Sequence, residues 1–311
     1  MPPTPYAYFK KQIVPLAEAK ISVMTHALNY GTAVFEGIRG NWNEEEGQIY
    51  LFRMPEHYAR LRRSCRILRS DFPYSDEELY SITTKLVEMS GYSEDIYVRP
   101  LVYKSSEALG VRLHNLEDDF LIFVAPFGPY LDVDEGARCC TSSWRRVEDT
   151  GIPARAKMTG IYVNSALAKT EAQLNGFDEA IMLNEDGHVS EGSGENIFIV
   201  CDGVLVTPPQ SSNILVGITR ETVVTLAADL GIAVIERNID RSELYTCDEC
   251  FMTGTAAHVT PVVEVDHRPV GTGKPGPITR QLMQLYFDVI RGKNPKYAHW
   301  CLPCYSKVKT S

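Results

Sequence analysis

One segment rich in proline, glycine and aspartate limits most strongly how this chain can fold. Residues 126–137, PFGPYLDVDEGA, follow no helical or strand period and read as a linker. The chain has 311 residues, which exceeds one ordinary small domain, and strand and helix patterns occur on both sides of the segment. We therefore predict a two-domain α/β (α+β) protein. Its parts are a smaller N-terminal domain at 1–125, an interdomain linker at 126–137 and a larger C-terminal domain at 138–311.

Strand and helix patterns alternate before the linker. Residues 47–54, GQIYLFRM, alternate like a strand, and residues 55–68 open with Pro-Glu and continue at helical spacing. Residues 75–91 begin with a serine suited to an N-cap, carry acids in the first turn and end on glycine, which predicts a helix. Strands are predicted at 95–105 and 118–128.

The second half begins with a predicted helix that ends at Gly176. Residues 178–209 read as a β-meander with turns at NEDG and CDG. Residues 218–231 form a second helix, for which Thr219 is the expected N-cap. Residues 248–266 return to strand around a turn of small residues.

Composition and charge exclude several classes of protein. Apolar residues make up 44% and charged residues 23%, as in a globular protein, and the formal net charge is −9. An acidic chain without a basic block has little electrostatic reason to bind nucleic acid or an anionic membrane. Because the sequence shows neither a membrane-spanning apolar run nor the pattern of a signal peptide, we expect a cytoplasmic protein.

The eight cysteines include two C-x-x-C pairs, CDEC at 247–250 and CLPC at 301–304. Such pairs raise the alternative of a zinc-binding regulatory protein, but their contexts are unlike metal knuckles, so we predict no metal. Cys247 and Cys250 lead into a strand and suit small buried positions. For CLPC the sequence leaves a reversible disulfide and no function both open.

Three places suit an anion. Gly217, Ile218 and Thr219 lie at a helix N-terminus, where backbone N–H groups and the helix dipole favour negative charge, although a helix that binds nothing is the more frequent case. The turn of Thr255, Ala256 and Ala257 offers further N–H groups, with an ordinary β-turn as the alternative. The third place is Arg60, in a basic run that otherwise reads as a solvated helix face.

Lys157 and Glu191 complete a chemical set with these anion sites. Lys157 stands among small residues just before a helix, and a lysine becomes a useful nucleophile when desolvated. Glu191 and Glu195 lie in the glycine-rich SEGSGENIF, where a carboxylate can face a protonated ring nitrogen; a polar hairpin is the alternative. One cofactor uses all of these groups, pyridoxal 5′-phosphate (PLP). Lys157 would form its Schiff base, Glu191 would pair with its pyridine nitrogen, and the helix N-terminus would hold its phosphate.

The chain resembles the branched-chain amino acid aminotransferases, which belong to the fold type IV PLP enzymes together with D-amino acid aminotransferase and aminodeoxychorismate lyase. The resemblance covers nearly the whole chain, and its segments follow the family's order. They are AKISVMTHALNYGTAVFEGIR, EHYARL, IYVRP, LGV, AKMTGIY, GFDEAIMLNEDGHVSEGSGENIF, TPPQSSNILVGITR and DECFMTGTAAHVTPV.

The resemblance implies the D-amino acid aminotransferase-like fold and a set of cofactor contacts. Lys157 would be the catalytic lysine that binds the cofactor and shuttles the proton, and Glu191 would pair with the pyridine nitrogen. Tyr162 would bond the ring hydroxyl, and Leu215 would pack on the ring. The phosphate would be held by Arg60, Ile218, Thr219 and Thr255, with Gly217 at the start of the helix.

The resemblance also implies a substrate pocket and a homodimer. The α-carboxylate would be bound by Tyr97, Arg99 and the backbone of Thr255, Ala256 and Ala257. The side-chain pocket would be walled by Tyr30, Phe35, Gly37 and Tyr130. Tyr130 and the loop from Leu109 to Val111 would come from the neighbouring subunit. Arg39 or Arg99 would serve the γ-carboxylate of the second substrate.

The implied reaction is transamination between L-branched-chain amino acids and 2-oxoglutarate. Two departures from the family touch the cofactor's surroundings, Ile161 in place of a frequent asparagine and the pair Met158-Thr159 in place of smaller residues. Other type IV activities remain as alternatives, namely transamination of D-amino acids or (R)-amines and aminodeoxychorismate lysis. A PLP-binding homologue without catalysis is a further alternative.

Overall fold

The computed structural model describes residues 5–128 and 130–305, which form two compact units. The described part of the first unit consists of 5–128, 156–160 and 288–305, and that of the second consists of 130–155 and 161–287. The units are therefore discontinuous in sequence, whereas the domains predicted above are continuous ranges.

The helices and strands are as follows, in chain order. The strands are β1 (Tyr6–Phe9), β2 (Gln12–Pro15), β3 (Ala33–Phe35), β4 (Ile38–Asn43), β5 (Gln48–Phe52), β6 (Ile96–Lys104), β7 (Asp118–Pro126), β8 (Ala137–Thr141), β9 (Glu179–Leu183), β10 (Val189–Gly192), β11 (Asn196–Cys201), β12 (Val204–Thr207), β13 (Val234–Glu236), β14 (Glu249–Gly254), β15 (His258–Val265), β16 (Arg268–Pro269) and β17 (Cys301–Pro303). The α-helices are α1 (His26–Tyr30), α2 (Met54–Leu68), α3 (Asp76–Ser90), α4 (Tyr162–Leu174), α5 (Ile218–Asp229) and α6 (Pro277–Ile290).

The first unit is built on an antiparallel sheet of order β17-β5-β4-β6-β7-β1-β2, with β3 also paired to β6. The register places Arg39 opposite Tyr97 and Phe35 opposite Leu101. Because side chains alternate between faces along a strand, Arg39, Tyr97, Arg99 and Phe35 project from one face of this sheet. The sheet thus collects four of the predicted substrate residues.

The second unit contains a mixed sheet of order β10-β9-β8-β15-β14-β11-β12-β13, with β16 on β15. The β-meander predicted for 178–209 is wrong as a continuous element. Hairpins β9–β10 and β11–β12 form, but β8, β15 and β14 lie between them in the sheet. These inserted strands come from distant parts of the chain, so local turn signals did not reveal them.

The ends of two helices test the capping predictions. Ser75 caps α3 through a capping box with Glu78, and Gly91 ends it in the left-handed region, as predicted. For α5 the prediction of Thr219 as N-cap is wrong. Gly217 is the N-cap, with extended backbone, and Thr219 lies buried inside the first turn.

The cysteines of the described residues are all free, and Cys247 and Cys250 are buried, as expected of small core side chains. Cys301 lies in β17, paired to β5, and Cys304 follows three residues later. Residues three apart on extended backbone are separated by about 10 Å between Cα atoms, beyond the reach of a disulfide. A Cys301–Cys304 disulfide would therefore require the backbone between the two cysteines to change its conformation.

Two searches concern the described residues only. Within 5–128 and 130–305, no group of three or more His, Cys, Asp or Glu side chains is placed to hold a metal ion. Over the same ranges, no helix combines the length and the apolar composition needed to cross a membrane.

Candidate active site

Lys157 lies in a short segment that extends the backbone hydrogen bonding of β3. Its carbonyl accepts from the Phe35 N–H at 3.0 Å, and the Thr159 N–H donates to the Ala33 carbonyl at 2.9 Å. The half-buried side chain places Nζ 5.0 Å from the centre of the Phe35 ring. The backbone of the predicted catalytic lysine is thus fixed on the sheet of the first unit.

One face of α2 contacts the segment that contains Lys157 and the residue that directly follows β3. His57, Arg60 and Ser64 share that face, because residues three and four apart on a helix are neighbours. Arg60 donates to Glu36 from Nε at 2.6 Å and from Nη2 at 2.8 Å, and His57 Nδ1 lies 2.7 Å from the same carboxylate. Ser64 Oγ accepts from the Lys157 N–H at 3.2 Å. Arg60 is therefore buried and paired, and the solvated helix face considered for it is wrong.

Burial and charge set the ionisation of this cluster. Burial alone would raise the pKa of Glu36, but the charge of Arg60 and the hydrogen bonds from Arg60 and His57 hold that pKa well below its ordinary value. Burial lowers the pKa of His57, and the charges of Arg60 and Lys157 lower it further against the opposing effect of Glu36. At neutral pH, His57 is accordingly neutral and donates its Nδ1 hydrogen to an ionised Glu36.

Arg99 is held between two aromatic rings on the sheet face of the first unit. Its guanidinium carbon lies 4.4 Å from the Phe35 ring centre and 5.0 Å from the Tyr97 ring centre. Nη2 also donates to the Tyr97 hydroxyl at 3.2 Å. A Cβ at Gly37 would lie 1.8 Å from that hydroxyl, so only glycine leaves Tyr97 this position. These contacts fix a cationic side chain beside an apolar wall.

Arg39 is the second arginine of this face, and it is buried, whereas Arg99 is half-buried. Its Nη2 lies 3.3 Å from an Asp95 carboxylate oxygen and 3.4 Å from the Gly128 carbonyl. Its guanidinium also lies 5.1 Å from the centre of the Phe127 ring. The two arginines differ in their partners. Arg39 is paired with the carboxylate of Asp95, whereas Arg99 contacts two aromatic rings and a hydroxyl.

A loop of the first unit brings Tyr30, Leu109 and Val111 together. The Gly110 N–H donates to the Tyr30 hydroxyl at 3.1 Å, and its carbonyl lies 2.9 Å from His26 Nε2. This anchor leaves Leu109 66% and Val111 92% exposed. Two apolar side chains are thus presented outward from a loop that hydrogen bonds hold in place.

In the second unit, Glu191 is the centre of a buried polar group. One of its carboxylate oxygens lies 2.8 Å from Arg146 Nη2. The other accepts from Asn196 Nδ2 at 3.0 Å and from the Leu215 N–H at 3.1 Å. The adjacent guanidinium favours the ionised carboxylate. The polar hairpin considered for this stretch does not account for a glutamate held in this way.

The N-terminus of α5 follows directly after Leu215. Within the described residues no side chain caps it, and Ile218 and Thr219 of its first turn are buried. A Cβ at Gly217 would lie 2.0 Å from Asn196 Oδ1, so glycine is required by this close approach. A helix start of this kind attracts anions through its N–H groups and its dipole.

The remaining predicted residues of the second unit lie at element ends. Tyr162 is the first residue of α4, and Thr255, Ala256 and Ala257 form the turn from β14 to β15. Tyr130 is 42% exposed, and Lys169 Nζ lies 4.9 Å from the centre of its ring.

The predicted site residues divide between the units as follows. The first unit holds Tyr30, Phe35, Gly37, Arg39, Arg60, Tyr97, Arg99, Leu109, Val111 and Lys157, and the second holds Tyr130, Tyr162, Glu191, Leu215, Gly217, Ile218, Thr219, Thr255, Ala256 and Ala257.

Sequence reasoning missed several polar residues that belong to these networks, among them Glu36, His57, Arg146 and Asn196. Glu36 and His57 stand inside the quoted motifs FEGIR and EHYARL, and Asn196 stands inside SEGSGENIF. Their positions within those motifs were the available signal. Nothing local singles out Arg146, which precedes Glu191 by 45 residues.

Comparison with known proteins identifies the family. Residues 33–265 match the family described as Amino-transferase class IV. A probable branched-chain-amino-acid aminotransferase of Aquifex aeolicus (strain VF5) is 52% identical over 303 residues, which cover 97% of each chain. The chain therefore belongs to the class IV aminotransferases.

Two solved structures make the relationship more specific. A branched-chain aminotransferase from the archaeon Thermoproteus uzoniensis, crystallised with norvaline, has a TM-score of 0.93 at 46% identity and covers 97% of this chain and 100% of its own. The branched-chain amino acid aminotransferase of Thermobaculum terrenum, solved in its PLP-bound holo-form, has a TM-score of 0.93 at 37% identity and covers 98% of this chain and 100% of its own. The fold predicted from the resemblance is confirmed.

Proposed function

We propose that this protein is a PLP-dependent transaminase that exchanges the amino group between L-branched-chain amino acids and 2-oxoglutarate, giving branched-chain 2-oxo acids and L-glutamate. The observation that carries this proposal is the match, over nearly the whole chain, to proteins named branched-chain aminotransferases. The residues described above are chemically suited to the activity.

The donor set suits PLP. A phosphate dianion is matched by Arg60 and by the α5 N-terminus with Thr219, and Thr255 offers a further hydroxyl. Glu191, beside Arg146, suits a protonated pyridine nitrogen. When bound, PLP supplies an aldehyde that takes up amino nitrogen and a ring that accepts electrons from the α-carbon.

We assign the chemical work to Lys157. Its Nζ would hold the cofactor covalently between turnovers, then remove the proton from the substrate α-carbon and return it to the cofactor. The backbone bonds to Phe35 and Ser64 fix the base of this side chain. Tyr162 would bond the ring hydroxyl, and Leu215 would pack against the ring.

We assign substrate recognition to the sheet face of the first unit and to the turn at Thr255. Tyr97, Arg99 and the backbone of Thr255, Ala256 and Ala257 would bind the α-carboxylate. Phe35, Gly37 and Tyr30 would wall the side-chain pocket. Arg39 or Arg99 would receive the γ-carboxylate of 2-oxoglutarate, and the aromatic rings around Arg99 support its presence beside an apolar wall.

We also propose a homodimer in which Tyr130 and the loop from Leu109 to Val111 complete the neighbouring subunit's pocket. The outward exposure of the neighbouring apolar side chains Leu109 and Val111 supports this, because exposed apolar surface can mark a protein–protein contact. The cytoplasmic location stays a prediction of the sequence.

The proposal is tested by a coupled assay with PLP and 2-oxoglutarate, using L-leucine, L-valine, D-alanine and (R)-1-phenylethylamine as separate donors. We expect turnover of the two L-amino acids, loss of at least a thousandfold in Lys157→Ala, and little change in the exposed control Lys85→Ala. Turnover restricted to D-alanine or the (R)-amine would retain the class and contradict the substrate assignment. Equal activity of Lys157→Ala and wild type would contradict the role of Lys157.

A further inference from the structure

Glu36 is a fully buried carboxylate to which the reaction above gives no task. It binds Arg60 through two parallel hydrogen bonds, from Nε and from Nη2, and it accepts a third from His57. When both oxygens of a carboxylate bind one edge of a guanidinium, the two hydrogen bonds fix the orientation of the guanidinium group. Arg60 is therefore held in one orientation before any anion arrives.

The charge balance of the cluster requires an explanation. Glu36 is 0% exposed and Arg60 is 4% exposed, so the pair was desolvated at a cost that its mutual attraction only partly offsets. His57 is neutral, so the described cluster has no net charge. A lone buried arginine would attract a phosphate more strongly. Pairing with Glu36 thus weakens the electrostatic attraction of Arg60 for a phosphate. In return, it fixes the direction in which the guanidinium points.

The cluster is also connected to Lys157. Ser64, one turn beyond Arg60 on the same face of α2, accepts the Lys157 backbone N–H. The segment containing Lys157 is hydrogen-bonded to β3, which ends immediately before Glu36. The orientation of Arg60 and the backbone position of Lys157 are therefore set by the same helix face and the same strand.

We propose that Glu36, supported by His57, is a positioning residue that orients Arg60 toward the phosphate of the cofactor and so gives the protein its preference for a phosphorylated over an unphosphorylated pyridoxal. This inference rests on the proposed function. Glu36 itself touches neither the cofactor nor the substrate in this assignment. It acts by fixing the orientation of Arg60, although its negative charge by itself disfavours binding of a phosphate nearby.

The test measures dissociation constants of PLP and of pyridoxal for the apoprotein, with thermal unfolding of each apoprotein as the control for folding. We expect Glu36→Gln, which removes the carboxylate charge and replaces one of the two acceptor oxygens by an NH2 donor, to weaken PLP binding at least tenfold and to change pyridoxal binding less than twofold. Arg62→Gln, a half-buried arginine of the same helix paired with Asp76, is the matched control and should leave both constants unchanged.

Two further variants make the result decisive. His57→Gln leaves the Glu36–Arg60 pair in place and should reduce the preference for PLP by a smaller factor of two to three, which keeps the inference testable if Glu36→Gln does not fold. In an Arg60→Ala background, Glu36→Gln should cause no further loss of preference, because its effect passes through Arg60.

Unchanged or tighter PLP binding in Glu36→Gln would overturn the inference, since tighter binding would mean that Glu36 acts by neutralising Arg60. Equal weakening of PLP and pyridoxal would show a structural role only and would also overturn it. A wild-type protein without preference for PLP over pyridoxal would instead contradict the proposed function, so the two failures are distinguishable.

Discussion

Single residues in this protein are constrained by close approaches that involve glycine. Gly37 and Gly217 each stand where a Cβ would overlap a polar atom, the Tyr97 hydroxyl in one case and Asn196 Oδ1 in the other. Both polar groups belong to networks, because Tyr97 binds Arg99 and Asn196 binds Glu191. These two glycines therefore act by leaving room for neighbouring side chains.

The first prediction concerns Gly37→Ala. The added methyl must displace Tyr97 and break its hydrogen bond with Arg99, as in an overpacked core, so we expect a stability loss of about 1–3 kcal/mol. We also expect KM for L-leucine to rise at least fivefold, because Tyr97 and Arg99 are assigned to the α-carboxylate. Steady-state kinetics and thermal unfolding measure both effects. Gly128→Ala is the control, since its Cβ would meet nothing within 4 Å, and equal behaviour of the two variants would contradict the steric argument.

Among the elements, α3 is the helix whose ends depend most clearly on local sequence. The Ser75 side chain accepts the Glu78 N–H at 3.1 Å, and the Glu78 carboxylate accepts the Ser75 N–H at 2.7 Å. The helix packs Leu79, Leu86 and Val87 inward. The capping box fixes where this buried face begins.

The second prediction concerns that cap. Ser75→Ala removes one acceptor from the helix N-terminus and should lower the free energy of unfolding by about 1 kcal/mol. Chemical denaturation followed by circular dichroism measures it. Ser81→Ala, an exposed position inside the same helix, should be neutral or slightly stabilising because alanine is the better helix former. A Ser75→Ala variant as stable as wild type would show that tertiary packing alone sets the start of α3.

The contrast between α3 and α5 shows what the sequence can predict. Both ends of α3 follow from residues within the helix and beside it, so the pattern predicts them. The N-cap of α5 is Gly217, where Asn196 of β11 leaves no room for a Cβ, and no local sequence pattern indicates this contact. In the same way Lys157, Arg60 and Glu191 stand in motifs, while the buried partner Arg146 becomes visible only when the chain is folded.

At the scale of the whole molecule, stability depends on how the second unit buries acidic groups. Glu195 is buried close to Glu179, and Lys169 pairs with Glu179 at 2.6 Å, which leaves Glu195 without a strong counter-charge in the described residues. Burial and the Glu179 charge raise the pKa of Glu195 to about 8, with a smaller contribution from Glu191 and against the Gly194 N–H and Lys169. Glu195 is therefore mainly protonated in the folded protein at neutral pH.

The third prediction is a pH dependence of stability. An acid whose pKa is raised by folding stabilises the protein below its unfolded pKa of 4.5 and loses that effect as the pH rises through about 8. We expect wild type to lose stability between pH 6 and pH 9 by on the order of a few kcal/mol more than Glu195→Gln. Denaturation midpoints across this range measure the difference. Parallel pH profiles for wild type and Glu195→Gln would contradict it.

The discontinuous first unit bears on how the protein is made. Its sheet takes the edge strand β17 from the end of the described chain and a hydrogen-bonded segment, 156–160, from the middle. Residues 5–128 are synthesised before both pieces. The segment 156–160 follows midway along the chain, and β17 becomes available only when almost all of the described chain has been made. The nascent N-terminal part must therefore wait with β5 unpaired on one side, a period in which chaperones can act on it. The part of the protein that is synthesised first is thus completed last.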